Sequence, residues 1–365
     1  MEAIRSQNSL KSIQKQILTI VIIIGSLVAI FPLTEYAFIE TPSPQFIWNG
    51  TAFRPVGVNY YPRTHPWTGT WEQYNATELA EDLDVVKSLG GNCIRTFIQW
   101  RLVEPEPWIY NNTIVDRIVD FFEVASEADM AVMFSFFDFG PPSWAQTEGD
   151  RMYINKTLIA HQVAQLEYIL PKINETKAAF MWDLRNEPTS DTISMDNFVL
   201  WVENLTTTIR NLGDTHYIVV GGGYGNFEDP APYAHLVDAV CMHFYKSLDK
   251  PHTEQEFEQY LKIFQATDKP VIVQEFGLPT SGDTTESMQA EYYNSLFALF
   301  DKNEIAGVMP WCLWDYGPNF WSEREAEFGL INYDLSWKDA AYVFRDYATG
   351  NRRPWLNLYN WGGLY

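Results

Sequence analysis

The chain is short of cysteine and of positive charge. Only Cys93, Cys241 and Cys312 occur among 365 residues, each in or at the end of an apolar run that reads as a strand. With an odd count and no C-x-x-C spacing, neither a disulfide framework nor a zinc site is signalled, and the three read as buried, unpaired thiols. Lys and Arg number 25 against 47 Asp and Glu, a net charge of −22, and no basic block interrupts the deficit. A polyanion such as nucleic acid is repelled by such a surface rather than steered to it. No clustered His, Asp and Glu set points to an obligatory metal ion, and no cofactor is expected. No low-complexity tract or linker divides the long body of the chain, so one large domain is expected rather than two.

Aromatic residues, by contrast, are abundant, at 16% with 14 Trp. Most such rings fill cores, but their flat apolar faces also stack on sugar rings. One long hydrophobic run is present: Arg5, Lys11 and Lys15 precede a stretch from Ile17 to Leu33 that carries no charge. That is about the minimum for a membrane span. No small-x-small pattern follows in LTEYAFIE, so residues 1–16 are expected as a cytoplasmic stub, 17–38 as a transmembrane signal anchor, and 41–365 as a domain held outside the cytoplasm. A cleaved signal and a secreted protein is the alternative. Six N-x-[ST] sequons, at Asn49, Asn75, Asn111, Asn155, Asn174 and Asn204, suit a translocated glycoprotein.

From Phe53 onward, short apolar runs alternate with amphipathic stretches. Strands are expected at Arg54–Asn59, Asn92–Phe97, Ala131–Phe136, Ala179–Leu184, Tyr217–Gly221, Ala239–His243, Val271–Gln274 and Ile305–Pro310. Between them, Ala76–Leu89 repeats Leu79, Leu83, Val86 and Leu89 at helical spacing before Gly90-Gly91 stops it. Further helices are expected at Ile114–Ala128, Lys156–Leu170, Met195–Leu212, Glu254–Ala266, Thr285–Phe300 and Trp337–Tyr347, whereas Gly221 to Tyr233 carries no helical pattern. Eight such units predict an α/β fold of the (β/α)₈ TIM-barrel type, preceded by the membrane segment.

In such a barrel, functional groups stand at the C-terminal ends of strands. Glu187 follows the fourth apolar run and Glu275 the seventh. Strands four and seven face one another across the ring, which suits two carboxyl groups about 5–5.5 Å apart, one donating a proton and one attacking an anomeric carbon.

These residues carry a family resemblance. WDLRNEP at Trp182–Pro188 and VIVQEFG at Val271–Gly277 resemble the acid/base and nucleophile motifs of the clan A glycoside hydrolases. GVNYYP at Gly57–Pro62, CIRTF at Cys93–Phe97, HFY at His243–Tyr245 and PWCLWDYG at Pro310–Gly317 extend the likeness over about residues 50 to 348, closest to the family 5-like endo-β-mannanase and cellulase group. The resemblance implies Glu187 as acid and later base, Glu275 as nucleophile, and Asn186 on the sugar 2-hydroxyl. Arg95 and Tyr245 would bond the nucleophile, Arg95 keeping it ionised. His243 matches the histidine two before that tyrosine, and Trp311 would be the sugar platform, with Trp314 as the fallback. Asp138, where many members present a histidine, is a candidate hydroxyl ligand, and Tyr60, Tyr61 and Trp100 are candidates for the cleft. An ionised Glu275 nearby is expected to raise the pKa of Glu187.

The leading expectation is an anchored, retaining β-glycosidase acting on β-1,4-mannan or β-1,4-glucan. An exo-β-mannosidase or a hydrolase trimming glycoconjugates keeps the chemistry and changes the substrate. A catalytically silent carbohydrate-binding membrane protein is the alternative of another class.

Overall fold

Apolar runs that are buried on both faces become parallel strands, and the amphipathic stretches between them become the helices that cover them. The computed structural model describes residues 45–139, 141–145, 151–223, 225–245, 254–317, 320 and 322–351. The expected signal anchor at 17–38 lies outside the described residues. Among those described, no helix is long and apolar enough to cross a membrane.

A hairpin comes first, β1 (Phe46–Trp48) paired antiparallel with β2 (Thr51–Phe53). Its two connecting residues, Asn49 and Gly50, both have positive φ, 48° and 75°, the requirement of a type I′ turn. Eight parallel strands follow. β3 (Gly57–Asn59), β4 (Cys93–Gln99), β5 (Ala131–Asp138), β6 (Ala179–Asp183) and β7 (Tyr217–Val219) form one run, and β8 (Val240–Tyr245), β9 (Val271–Gly277) and β10 (Gly307–Val308) another. The Val56–Val308 bridge and the Asn59 N–H to Pro310 carbonyl bond, 3.0 Å, join β10 to β3. At the other seam Asp238 N–H donates to the Ile218 carbonyl at 2.9 Å. The ring is a (β/α)₈ barrel.

The first and last barrel strands are shorter than the sequence implies, and the fifth ends at Val219 rather than Gly221. Residues Arg54–Val56 and Met309–Pro310 pair only locally, because Pro55 and Pro310 have no N–H to give a ladder. The helix Ala76–Ser88 is started by Asn75, whose side chain accepts from the Thr77 and Glu78 amides, and buries Leu79, Leu83 and Val86. Between β7 and β8 the described residues hold only two 3₁₀ turns, Gly225–Phe227 and Ala234–Leu236, which agrees with the missing helical pattern there.

Two apolar clusters result. The larger lies between strands and helices. In the smaller one, Phe46 and Phe53 of the hairpin pack with Cys93, Met133, Met181, Cys241, Ile272 and Met309 from the strands. All three cysteines are buried and unpaired. The hairpin thus packs on the start of the barrel strands, leaving polar residues to gather at their other ends.

Candidate active site

Strand register assembles the polar centre. It sets Asn59 beside Arg95 across β3 and β4, and His243 beside Glu275 across β8 and β9. Arg95 is wholly buried, and all five of its N–H donors are used. Nη1 donates to Glu275 Oε1 at 2.5 Å and Asn59 Oδ1 at 3.0 Å, and Nη2 to Asp183 Oδ2 at 2.8 Å and Asn186 Oδ1 at 2.8 Å. Nε donates to Asp183 Oδ2 at 3.1 Å. A buried guanidinium tolerates the loss of water only when its fork is filled in this way. Tyr245 takes the other oxygen of Glu275, its hydroxyl donating to Oε2 at 2.6 Å. Burial pushes the Tyr245 phenol well above its ordinary value, with the negative charge of Glu275 next in effect, so it remains a donor.

Glu187 follows β6 with φ of 41°, a left-handed conformation that a non-glycine residue adopts under local constraint. Arg185 helps to hold this turn by donating to the Phe137 carbonyl. Glu187 Oε1 meets His243 Nδ1 at 2.8 Å, and the same ring nitrogen lies 3.6 Å from Glu275 Oε2. One ligating atom from each of Glu187, His243 and Glu275 lies within 4.8 Å of the others. This triplet has donors that transition metals accept, but Arg95 already occupies one oxygen of Glu275.

The electrostatics correct one expectation. Burial does push Glu187 upward, but the hydrogen bond and charge of His243, together with Arg95, outweigh it and hold the carboxyl below its ordinary value. His243 moves the other way: burial lowers it, while Glu275 and Glu187 raise it above the usual imidazole range. The sequence could not place the ring against Glu187, and it is this contact that reverses the sign. One proton is therefore shared by the two side chains, and its titration belongs to the pair. Two sites holding one proton bind it at least as tightly as either alone. His243→Ala is thus expected to move the alkaline limb of the kcat/KM profile to lower pH, with kcat/KM above that limb falling tenfold per unit. A pH–rate profile of parent and variant checks this; an unmoved or raised limb contradicts a shared proton.

His243 is itself held from behind. Gln274 Nε2 donates to Asp183 Oδ2 at 3.1 Å, which turns its carbonyl oxygen to His243 Nε2 at 3.0 Å. A Cβ on Gly222 would lie 2.5 Å from the ring, so only glycine lets that backbone approach.

A pocket of about 240 Å³ opens onto Asn186, Glu187, Tyr245 and Glu275. Trp311, Tyr61 and the stacked pair Trp67 and Phe139, with ring planes 11° apart, also line it. Arg324, Glu325 and Phe328 enter from the connection after β10. Trp311 meets Tyr61 edge to face at 6.0 Å, and its peptide bond to Cys312 is cis. Burial raises Glu325, Arg324 opposes, and Glu275 and Glu187 add to the rise, making it a third carboxyl group in the same field.

Four candidates sit elsewhere. Tyr60 is buried with its hydroxyl on Asp82 at 2.9 Å; neighbouring residues of an extended chain point to opposite sides, and it is Tyr61 that reaches the pocket. Trp314 donates to the same Asp82 oxygen at 3.3 Å and does not line the pocket. Asp138 lies behind Tyr61, accepting from its hydroxyl at 3.3 Å and from Gln99 at 3.0 Å, with burial raising it to about 6. Trp100 is buried with its N–H on Glu104. Residues the motifs did not single out are Asn59, Asp183 and Gln274. All three lie inside quoted motifs, Asn59 in GVNYYP, Asp183 in WDLRNEP and Gln274 in VIVQEFG, and that membership was the signal available.

The family model described as cellulase, glycosyl hydrolase family 5, matches residues 52–319. An exo-β-1,4-mannosidase from an Opitutaceae bacterium superposes with a TM-score of 0.75 at 22% identity, over 85% of this chain and 61% of that one. The chain therefore spans about three fifths of that protein's length. A GH5_18 protein from Bifidobacterium longum in complex with Manβ1-4GlcNAc gives 0.72 at 19% identity, over 83% of this chain and 79% of that one. For the endo-1,4-β-mannanase of Rhizomucor miehei the values are 0.65 and 19%, over 85% and 98%. At these identities the likeness is one of fold. No curated protein matches the chain by sequence.

Proposed function

The chain belongs to glycosyl hydrolase family 5, a family of retaining enzymes, and from that premise we propose that it hydrolyses β-linked glycosides of mannose or glucose by double displacement. The observation that carries this is the spacing of Glu187 and Glu275, whose nearest oxygens fall within 4.8 Å. Inverting enzymes keep their carboxyl groups about 6.5–9.5 Å apart to admit a water between them; the retaining spacing is about 5–5.5 Å.

In the first step Glu275 attacks the anomeric carbon while the proton held between Glu187 and His243 passes through Glu187 to the departing oxygen, leaving a glycosyl ester on Glu275. Water then attacks the anomeric carbon of that ester, its proton passing to Glu187 as the bond from that carbon to Glu275 breaks and the carboxylate is released. Arg95 and Tyr245 hold the two Glu275 oxygens in place and stabilise the carboxylate as it leaves. Arg95 also fixes the Asn186 amide by its oxygen, so that the nitrogen is the group left for the sugar 2-hydroxyl.

The favoured substrates are β-1,4-mannan and β-1,4-glucan oligomers. The modest pocket, edged by Arg324 and Glu325, favours action on a terminal residue, as in an exo-β-mannosidase. We place the domain outside the cytoplasm on a retained anchor at residues 17–38, a reading supported by the uncharged run from Ile17 to Leu33. Protease protection in sealed vesicles tests it, and digestion from the cytoplasmic side would overturn it.

The activity test compares substrates of different leaving ability. Glu187→Ala is expected to lose about 10²–10⁴-fold on oligomers, which need a proton on the leaving oxygen. On dinitrophenyl β-glycosides, which do not, the first step is expected to survive and the second to become limiting. Equal losses of kcat/KM, which reports the first step, on both classes would remove Glu187 from the acid role.

A further inference from the structure

Trp108 stands outside the pocket. Its turn, Glu106–Ile109, is closed by the Ile109 N–H on the Glu106 carbonyl at 3.0 Å, with Pro107 second and Trp108 third. That third position requires positive φ and is normally glycine or asparagine, yet Trp108 adopts it with φ of 64°. The indole is 56% exposed, so core packing does not account for it.

The ring is nevertheless firmly supported. One face stacks on His161, with centroids 3.7 Å apart and planes 28° apart. The Trp108 amide donates to Glu104 Oε1 at 2.7 Å, and the same oxygen meets His161 Nδ1 at 2.6 Å. Trp100 Nε1 fills the other Glu104 oxygen at 2.8 Å. Glu104 and His161 are both buried. A buried hydrogen-bonded network thus holds an exposed ring still, in a strained turn, with one apolar face turned outward.

Location links the ring to the mouth of the barrel. Glu106–Ile109 lies in the connection that leaves the C-terminal end of β4, the face on which β6 and β9 deliver Glu187 and Glu275. Ring contacts lead back from His161 to Trp144 at 4.7 Å, to Trp100 at 5.5 Å and to Phe137 at 5.9 Å, two residues from Phe139 of the pocket. Flat apolar faces bind the C–H faces of pyranose rings, and a neutral ligand suits a chain of charge −22.

We propose that Trp108 is a stacking platform for a distant sugar of a β-linked chain whose end residue lies between Glu187 and Glu275. This rests on the glycosidase reading above. The test measures KM and kcat for an aryl β-glycoside and for β-1,4-linked hexasaccharides, using the parent, W108G and W108F. Leu200→Ala, a comparably exposed apolar residue on the helix Met195–Asn211, serves as the control. W108G relieves the backbone constraint, so loss of fold is not expected, and thermal melting verifies that. The expected result is a rise of about tenfold in KM for the hexasaccharide over any rise for the aryl glycoside, largely restored in W108F. Equal changes for both substrates would overturn the platform. So would a concentration-dependent dimer that W108G abolishes without altering KM, which assigns the face to a second copy. Should the parent turn over no β-glycoside, the glycosidase reading fails by itself. Calorimetric binding of the hexasaccharides to parent and W108G then decides the platform, and no difference, or no binding, overturns it.

Discussion

Glu275→Gln is expected to lower kcat by about 10⁴–10⁶-fold on every β-glycoside the parent cleaves, the scale seen when a covalent nucleophile is removed. The amide keeps the size of the carboxyl; its oxygen can still accept from Arg95, while its nitrogen can donate to the Tyr245 hydroxyl, so the pocket should keep its shape. It cannot form the glycosyl ester. Binding of oligomers, read by calorimetry, should therefore persist while turnover disappears. The companion variant Glu275→Ala opens room for an added anion such as azide, which can attack from the vacated side and yield an α-glycosyl azide. Residual turnover within about a hundredfold of the parent would instead mean that Glu275 is only an electrostatic partner.

The second large effect is expected for Arg95→Met, and it falls on stability as well as rate. Arg95 is the cation between two buried carboxylates, and it also occupies Asn59 and Asn186. Removing one member of a buried charged network costs about 3–5 kcal/mol, because the remaining charge has neither water nor partner. For a domain this large that corresponds to a fall in melting temperature on the order of 10 °C. kcat should fall too, since Glu275 loses one of its two donors and Asn186 the contact that orients its amide. Thermal melting beside steady-state kinetics separates the two. A variant that melts with the parent would show the network to be worth far less than its geometry suggests.

Much of this was readable from residue order. Barrel strands are buried on both faces, so β4, β5 and β9 appear as near-continuous apolar runs, and the polar residue ending each run is then conspicuous. Glu187 and Glu275 stood out on that ground alone, before any likeness was invoked. Arg95, His243 and Tyr245 came from motif likeness, and the structure gathers all three around the two glutamates.

What could not be read depended on phase and distance. Choosing Tyr60 over Tyr61 required knowing where the extended chain turns one side toward the mouth, and local sequence does not mark that point. Trp311 and Trp314 posed the same problem, and only Trp311 faces the pocket. Nothing local indicates that Asp183 and Gln274 brace Arg95 and His243, because those partners are far apart in the chain. The direction of the Glu187 shift depended on one 2.8 Å contact between β8 and the end of β6. Trp108 hid for a different reason: a tryptophan after proline carries no turn signal where glycine would have.

The central claim is double displacement by Glu275 with Glu187 as its acid and base, and the anomer released first tests it most directly. ¹H NMR during the opening minutes of hydrolysis of a β-linked oligomer, before mutarotation mixes the anomers, reads that outcome. The account predicts the β-anomer. Initial release of the α-anomer would require a single inverting displacement and contradict it.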